Sequence, residues 1–271
     1  MQIKSINYIN FRNLKNNKLE FHPRFNLFMG KNGQGKTSIL EAIYFSITGK
    51  SFRTKHIKEL IKYDYQDAGA MINYEDRLGK KSIGIKFNGK TREYLYNKSK
   101  VKFDEFIGRV NVISFIPDDI YLILGNPSLR RTFFDYEIAQ GNEIYYKNLK
   151  DFNKILKIRN KFLKEGKSKD PLFEVYNEKF IELSVKIFSK RFEYIKKLSV
   201  LLNLNYRKLF SDKSELKIVY KSFSENIFKS EDIMKEEFIK TLDKVEKQEK
   251  YRGVSLVRKK KDDFIFYLND K

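Results

Sequence analysis

The sequence predicts an α/β phosphate-loop (P-loop) NTPase fold with an inserted helical lobe, on the strength of three observations. Residues 30–37 read Gly-Lys-Asn-Gly-Gln-Gly-Lys-Thr, a complete G-x-x-x-x-G-K-[ST] loop. Phe25 to Met29 before it is a short apolar run of the kind that forms a buried parallel strand. Ser38 to Thr48 after it carries Ile39, Ala42, Ile43, Phe45 and Ile47 at helical spacing. Beyond Pro117 the hydrophobic period lengthens from strand-like to helical, which marks a second lobe.

The loop carries the sharpest chemical expectation, a bound nucleoside triphosphate. Gly30, Gly33 and Gly35 let successive backbone N–H groups curl around a β-phosphate, and the following helix N-terminus adds a favourable dipole. Lys31, Asn32, Gln34 and Ser38 complete the cradle. Lys36 reaches the β and γ oxygens as a point charge, and the Thr37 hydroxyl is the expected ligand to Mg²⁺. The expected cofactors are therefore ATP and Mg²⁺.

Around the loop, Gln2 to Ile9 and Lys18 to Phe21 read as strands of an N-terminal meander. Ala68 to Tyr74, Lys81 to Phe87 and Thr91 to Tyr96 read as three more, the last two joined at Asn88-Gly89-Lys90, where Asn-Gly tolerates positive φ. Val110 to Phe115 reads as another buried strand. Asp118 to Leu124 and Ser128 to Ala139 read as short helices, and Tyr145, Leu149, Phe152, Leu156 and Leu163 space out a longer one. Pro171 opens a second long helix, expected to pair with the first as an antiparallel hairpin. Glu215 to Tyr220 and Asp263 to Leu268 read as strands returning to the sheet, with a charged helix near Ile233 to Lys250 between them. The expected division is 1–116 for the nucleotide lobe, 117–212 for the helical lobe and 213–271 for the return.

Composition sets the partner class. The chain of 271 residues is 41% hydrophobic, with 24 Phe and 17 Tyr to fill a core. It holds no Cys, which excludes a disulfide framework and thiolate metal sites, and His22 and His56 are too few for a zinc cluster. Neither a signal peptide nor an apolar run near the ~20 residues of a membrane span is present, so a cytoplasmic location without membrane contact is expected. A net charge of +21 suggests an acidic polymer such as DNA, although 43 of the 56 basic residues are Lys, and a merely basic surface stays open.

Two blocks resemble the bacterial RecF DNA replication and repair family. Phe28 to Thr54 reads FMGKNGQGKTSILEAIYFSITGKSFRT, and Val112 to Leu163 carries Pro117-Asp118-Asp119, Gly125-x-Pro127-x-x-Arg130-Arg131 and Arg159-Asn160 in the family's order. The resemblance implies an ABC-type ATPase head related to SMC proteins, an ATP-dependent homodimer, and binding of single-stranded and gapped duplex DNA. It also implies action with RecR and RecO to place RecA, and roles in replication, gap repair and the SOS response. It aligns Arg12 with a phosphate-contacting arginine, but an ordinary surface strand arginine is the other reading. Asp118 and Asp119 suit helix capping as well as chemistry. Arg130 and Arg131 suit pairing with Asp135 or DNA phosphate. Ser51-Phe52-Arg53 is expected near the pocket, with Phe52 an alternative core residue, and the basic run Arg258 to Lys261 is read as a solvated strand entrance or a phosphate contact.

The family's signature Ser-x-Gly-Gln motif and second acidic motif follow the segment that matches Leu256 to Lys271 and do not occur in this sequence, and Arg258-Lys259-Lys260-Lys261 stands where the family has Gly-Pro-His-Arg. Nucleotide binding without efficient hydrolysis is therefore expected, and the catalytic residues stay unassigned. A small-molecule kinase and a non-catalytic fragment are the competing readings.

Overall fold

The computed structural model describes residues 1–210, 213–223, 230–257 and 262–269, which form two compact units, Met1–Ser114 and Phe115–Lys271. In the first unit, β1 (Gln2–Ile9), β2 (Asn17–Glu20), β3 (Asp67–Asp76), β4 (Gly79–Asn88), β5 (Arg92–Tyr96) and β6 (Ser99–Val101) form an antiparallel sheet in the order β2-β1-β3-β4-β5-β6. Alternation along β3 turns Ala68, Ala70, Ile72 and Tyr74 inward, as period-two strands require. Helix α1 (Lys36–Thr48) packs on β3 and β4. Its Phe45 meets Phe87 at 4.8 Å and Phe11 at 6.0 Å between ring centroids, in the tilted geometries aromatic quadrupoles favour.

Two predicted strands are not formed. Phe25–Met29 and Val110–Phe115 join no ladder among the described residues, and Phe25, Leu27, Met29, Ile113 and Phe115 are exposed. An apolar run becomes a buried parallel strand only when neighbouring strands and covering helices take up its hydrogen bonds and both faces. The observed sheet is an antiparallel meander that reaches neither segment. The hairpin at Asn88 forms by another route than positive φ: the Asn88 side-chain oxygen accepts from the Lys90 and Thr91 N–H groups at 2.9 and 2.8 Å, an Asx turn. Left-handed residues instead make the turn from β5 to β6, at Asn97 and Lys98.

In the second unit, α2 (Phe103–Phe106) belonging to the first, the helices are α3 (Tyr121–Leu124), α4 (Pro127–Gly141), α5 (Glu143–Lys164), α6 (Pro171–Leu209) and α7 (Glu231–Arg252). Helices α5 and α6 form the expected antiparallel hairpin. Asp170 caps α6 by accepting from the Leu172 N–H at 2.9 Å, and Phe152 stacks on Phe180 at 5.3 Å. Strands β7 (Leu216–Lys221) and β8 (Asp263–Leu268) pair with each other in a separate two-stranded sheet. The described elements of 213–271, expected to return to the nucleotide lobe, thus fold within the helical unit, with β7 against α6 and β8 against α4. A strand pattern specifies the need for a partner and leaves the partner's identity open. Arg258 to Lys261 lies outside the described residues.

A buried charge cluster closes this unit. Arg191 on α6 has no solvent exposure; it donates to Asp135 on α4 at 2.7 and 3.0 Å and to Asp262 at 2.5 Å. Tyr145 of α5 also donates to Asp135, and Tyr220 of β7 and Ser222 donate to Asp262. Burial outweighs these donors and pushes the Asp262 carboxyl up to about 6 from its ordinary 3.8. A carboxyl raised in the folded state contributes stability that is fully present below about pH 4 and lost as pH rises through 6. Chemical denaturation from pH 4 to 7 should show the wild-type chain losing on the order of 2 kcal/mol relative to Asp262→Asn, and a constant difference would remove this account.

Candidate functional site

The predicted loop surrounds a cleft of about 700 Å³ at the start of α1, lined by Arg12, Asn13, residues 32–38, Arg53, Glu59, Ile61, Lys62 and Tyr63. That volume lies in the range of small-molecule sites. Three glycines take left-handed or wider positive φ, Gly30 at 148°, Gly33 at 81° and Gly35 at 92°. At Gly35 the requirement is double, because a Cβ there would stand 2.6 Å from the buried Leu14 side chain. These positive φ values let the loop make the tight turns that a phosphate-binding loop requires.

Side chains hold the turn in place. Lys36 Nζ donates to the carbonyls of Gly30 and Lys31 at 2.7 and 2.8 Å, folding back over the loop it belongs to. Asn13 donates to the Gly33 carbonyl at 2.7 Å and accepts from the Ser38 hydroxyl at 3.0 Å. The Ser38 hydroxyl is thereby committed to bracing the loop, while Thr37 beside it is exposed at the helix start. Of the predicted cradle, residues 32–38 line the cleft, and Lys31 contributes its carbonyl to Lys36.

Arg12 reaches the same cleft from the sheet. Its backbone sits at φ 51°, an uncommon region for a residue with a side chain, fixed by an N–H bond to the Leu60 carbonyl at 2.8 Å. Its guanidinium makes a two-pronged contact with Glu41 on α1, at 2.9 and 2.8 Å. Glu41 is fully buried and also accepts from the Ser51 hydroxyl and, at 3.4 Å, from Arg53. Arg53 lines the cleft, Ser51 stands behind it on the Glu41 carboxylate, and Phe52 packs edge-on against Tyr44 at 5.5 Å.

The remaining candidates have structural employment. Asp119 accepts from the Ile116 N–H at 2.9 Å, a helix cap. Arg130 spans to Asp263 at 2.7 and 2.9 Å, and Arg131 donates to the Asp262 carbonyl at 2.6 Å with the Asp135 carboxylate also acting on its charge. Arg159 is buried against Glu249, Ser255 and Asn177. Sequence reasoning missed Asn13, Glu41, Glu59, Lys62 and Tyr63. Glu41 had a signal, since it sits on the helix face of Ser38, Ala42 and Phe45, where a carboxylate must be paired. The others come from loops far along the chain and carry no periodic mark.

Among the described residues no group of three or more His, Asp or Glu could hold a metal ion, and no helix is long and apolar enough to cross a membrane. Residues 2–117 match the RecF/RecN/SMC N-terminal domain family. DNA replication and repair protein RecF of Alkaliphilus oremlandii is 34% identical over 99% of this chain and 74% of its own length. RecF of Halalkalibacterium halodurans is 33% identical over the whole chain and 74% of its length. Among solved structures, the recombination mediator protein RecF with ATP, from the RecFOR pathway, superposes with a TM-score of 0.91 at 29% identity, covering 99% of this chain and 74% of that one. A second RecF structure, RecF-ATPrS, gives 0.88 with the same coverage. The α/β P-loop ATPase head with its helical lobe is thus the shared fold, this chain spans about three quarters of the length of these relatives, and it belongs to the RecF family.

Proposed function

We propose that this chain is an ATP-binding, DNA-binding member of the RecF family that acts in DNA replication and recombinational gap repair. The observation that carries the reading is the braced loop of residues 30–38, whose residues 32–38, Lys36 among them, line one cleft at the N-terminus of α1. Thr37 supplies one hydroxyl for Mg²⁺, whose other ligands would be phosphate oxygens and water, as is usual for this ion. Arg12 and Arg53 add cationic donors on the far wall. The RecF structures with bound nucleotide support ATP as the triphosphate. Their RecFOR setting supports RecR and RecO as partners. The resemblance to the family carries the reading further, to RecA placement and the SOS response, single-stranded or gapped DNA as substrate, a cytoplasmic location and an ATP-dependent homodimer as the acting form.

Lys36→Ala should abolish Mg-ATP binding in isothermal titration, and Thr37→Ala should weaken it; affinity unchanged in Lys36→Ala would reject the site. DNA affinity should rest on phosphate contacts, because the excess charge is lysine rather than base-reading side chains. Log affinity against log salt should fall with a slope of about −0.9 per phosphate neutralised on duplex DNA, and a flat response would sink the electrostatic reading. Hydrolysis by the 271-residue chain should stay near background in phosphate-release assays with DNA present, since Glu59 is the one carboxylate among the residues lining the cleft. Robust turnover that vanishes in Lys36→Ala would show catalytic groups within the chain.

A further inference from the structure

We propose that Glu41 is a positioning residue for the nucleotide: its buried carboxylate holds the Arg12 guanidinium toward the triphosphate and ties the turn at Ser51 to the same charge. This rests on the phosphate-binding reading of the cleft. Glu41 lies on the buried face of α1 between Ser38 and Phe45, with no exposure. A carboxylate there costs desolvation energy that only charged or hydrogen-bonding partners offset, and both of its arginine partners, Arg12 and Arg53, line the cleft. Arg12 gives it Nε and Nη2, Arg53 gives Nη1, and Ser51 gives its hydroxyl. The Ser51 oxygen in turn accepts from the Arg53 and Thr54 N–H groups at 2.9 and 3.0 Å, so one carboxylate anchors the whole turn.

Arg12 is clamped from both ends. Its backbone stands in a strained left-handed turn with Asn10, at φ 51° and 49°, and Phe11 between them is fully buried. Lys62 N–H donates to the Asn10 carbonyl at 2.7 Å, and Arg12 N–H to the Leu60 carbonyl at 2.8 Å. With Nε and Nη2 engaged by Glu41, the guanidinium turns its remaining edge, including Nη1, away from the carboxylate, and the residue lines the cleft with Lys36 and Thr37. A planar guanidinium held on one edge offers the other as a pre-oriented pair of donors for phosphate oxygens. Arg53, gripped only at 3.4 Å and nearly half exposed, is the looser second cation.

The sign of one substitution separates positioning from plain charge. If Glu41 acted only through space, removing its negative charge would tighten binding of a polyphosphate. If it positions Arg12, Glu41→Gln should weaken Mg-ATP binding about tenfold in isothermal titration, with Glu41→Asp recovering part of the loss. Arg12→Ala should weaken it similarly, and Arg12→Ala with Glu41→Gln should bind no worse than Arg12→Ala alone, since the two act as a unit. Wild-type or tighter affinity in a folded Glu41→Gln, or losses that multiply in the double variant, would overturn the proposal. Should Glu41→Gln fail to fold, Arg12→Lys keeps the charge without the fork. Binding as weak as in Arg12→Ala supports positioning, and wild-type affinity overturns it. Lys36→Ala run in parallel tells the two failures apart: loss of binding there with an unaffected Glu41→Gln removes this proposal alone, whereas unchanged binding in Lys36→Ala removes the nucleotide site and the proposal together.

Discussion

The contact of Phe45 with Phe11 and Phe87 is the constraint on which the nucleotide site depends. It seats α1 on the sheet, and the helix can offer its N-terminus to an anion only if its side is held by something other than that N-terminus. Phe11 belongs to the turn that carries Arg12, Phe87 to a central strand and Phe45 to the helix that follows the phosphate loop. The same apolar contact therefore registers Arg12, the loop and the helix against one another. Aromatic rings suit the task because each buries a large area with few rotamers to lose.

Where this fold buries a cation among the described residues, it uses arginine rather than lysine. Arg191 and Arg159 are buried, each against carboxylates, and Arg12 and Arg130 make two-pronged ion pairs. On the surface of α6, Lys179 and Lys186 flank Glu182, and Lys190 and Lys197 flank Glu193, holding both carboxyls down to about 2. Such exposed pairs add little stability, about 0.3–0.5 kcal/mol each for helix neighbours. The planar guanidinium satisfies several acceptors in a fixed fork and so survives burial, whereas the strongly hydrated ammonium stays in water. Net charge from composition thus counts arginines that serve inside the fold, such as Arg159 and Arg191, together with the exposed lysines and arginines that can face a partner.

Periodicity and turn chemistry made much of the fold legible. The loop spelling with its helix, the alternating strands β3 and β4 and the apolar rows of α5 and α6 each carry their own local signal. What stayed hidden depended on partners distant in sequence. Phe25–Met29 has the composition of a buried strand, but composition cannot report whether a neighbouring strand exists, and here its side chains stand exposed. Strands β7 and β8 were readable as strands and misassigned to a sheet, because ladder partners are chosen by tertiary packing. Arg130 and Arg131 suggested either Asp135 or DNA phosphate, and their contacts with Asp263 and Asp262 were hidden because those residues lie more than a hundred positions away.

The bracing of the loop explains why a run of glycines, the residues with most entropy to lose, can still serve as a binding site. Ser38 bonds Asn13, and Asn13 bonds the Gly33 carbonyl, so the helix, the turn after β1 and the loop share one chain of hydrogen bonds. Lys36 adds two bonds to the carbonyls of Gly30 and Lys31 at the loop's entrance. Each bond restricts the loop before any ligand arrives, which moves the ordering cost from binding to folding and leaves more of the phosphate contact energy for affinity. The same logic extends to Arg12, whose strained backbone is held by Phe11 and whose side chain is held by Glu41. Folding the core orders both walls of the cleft.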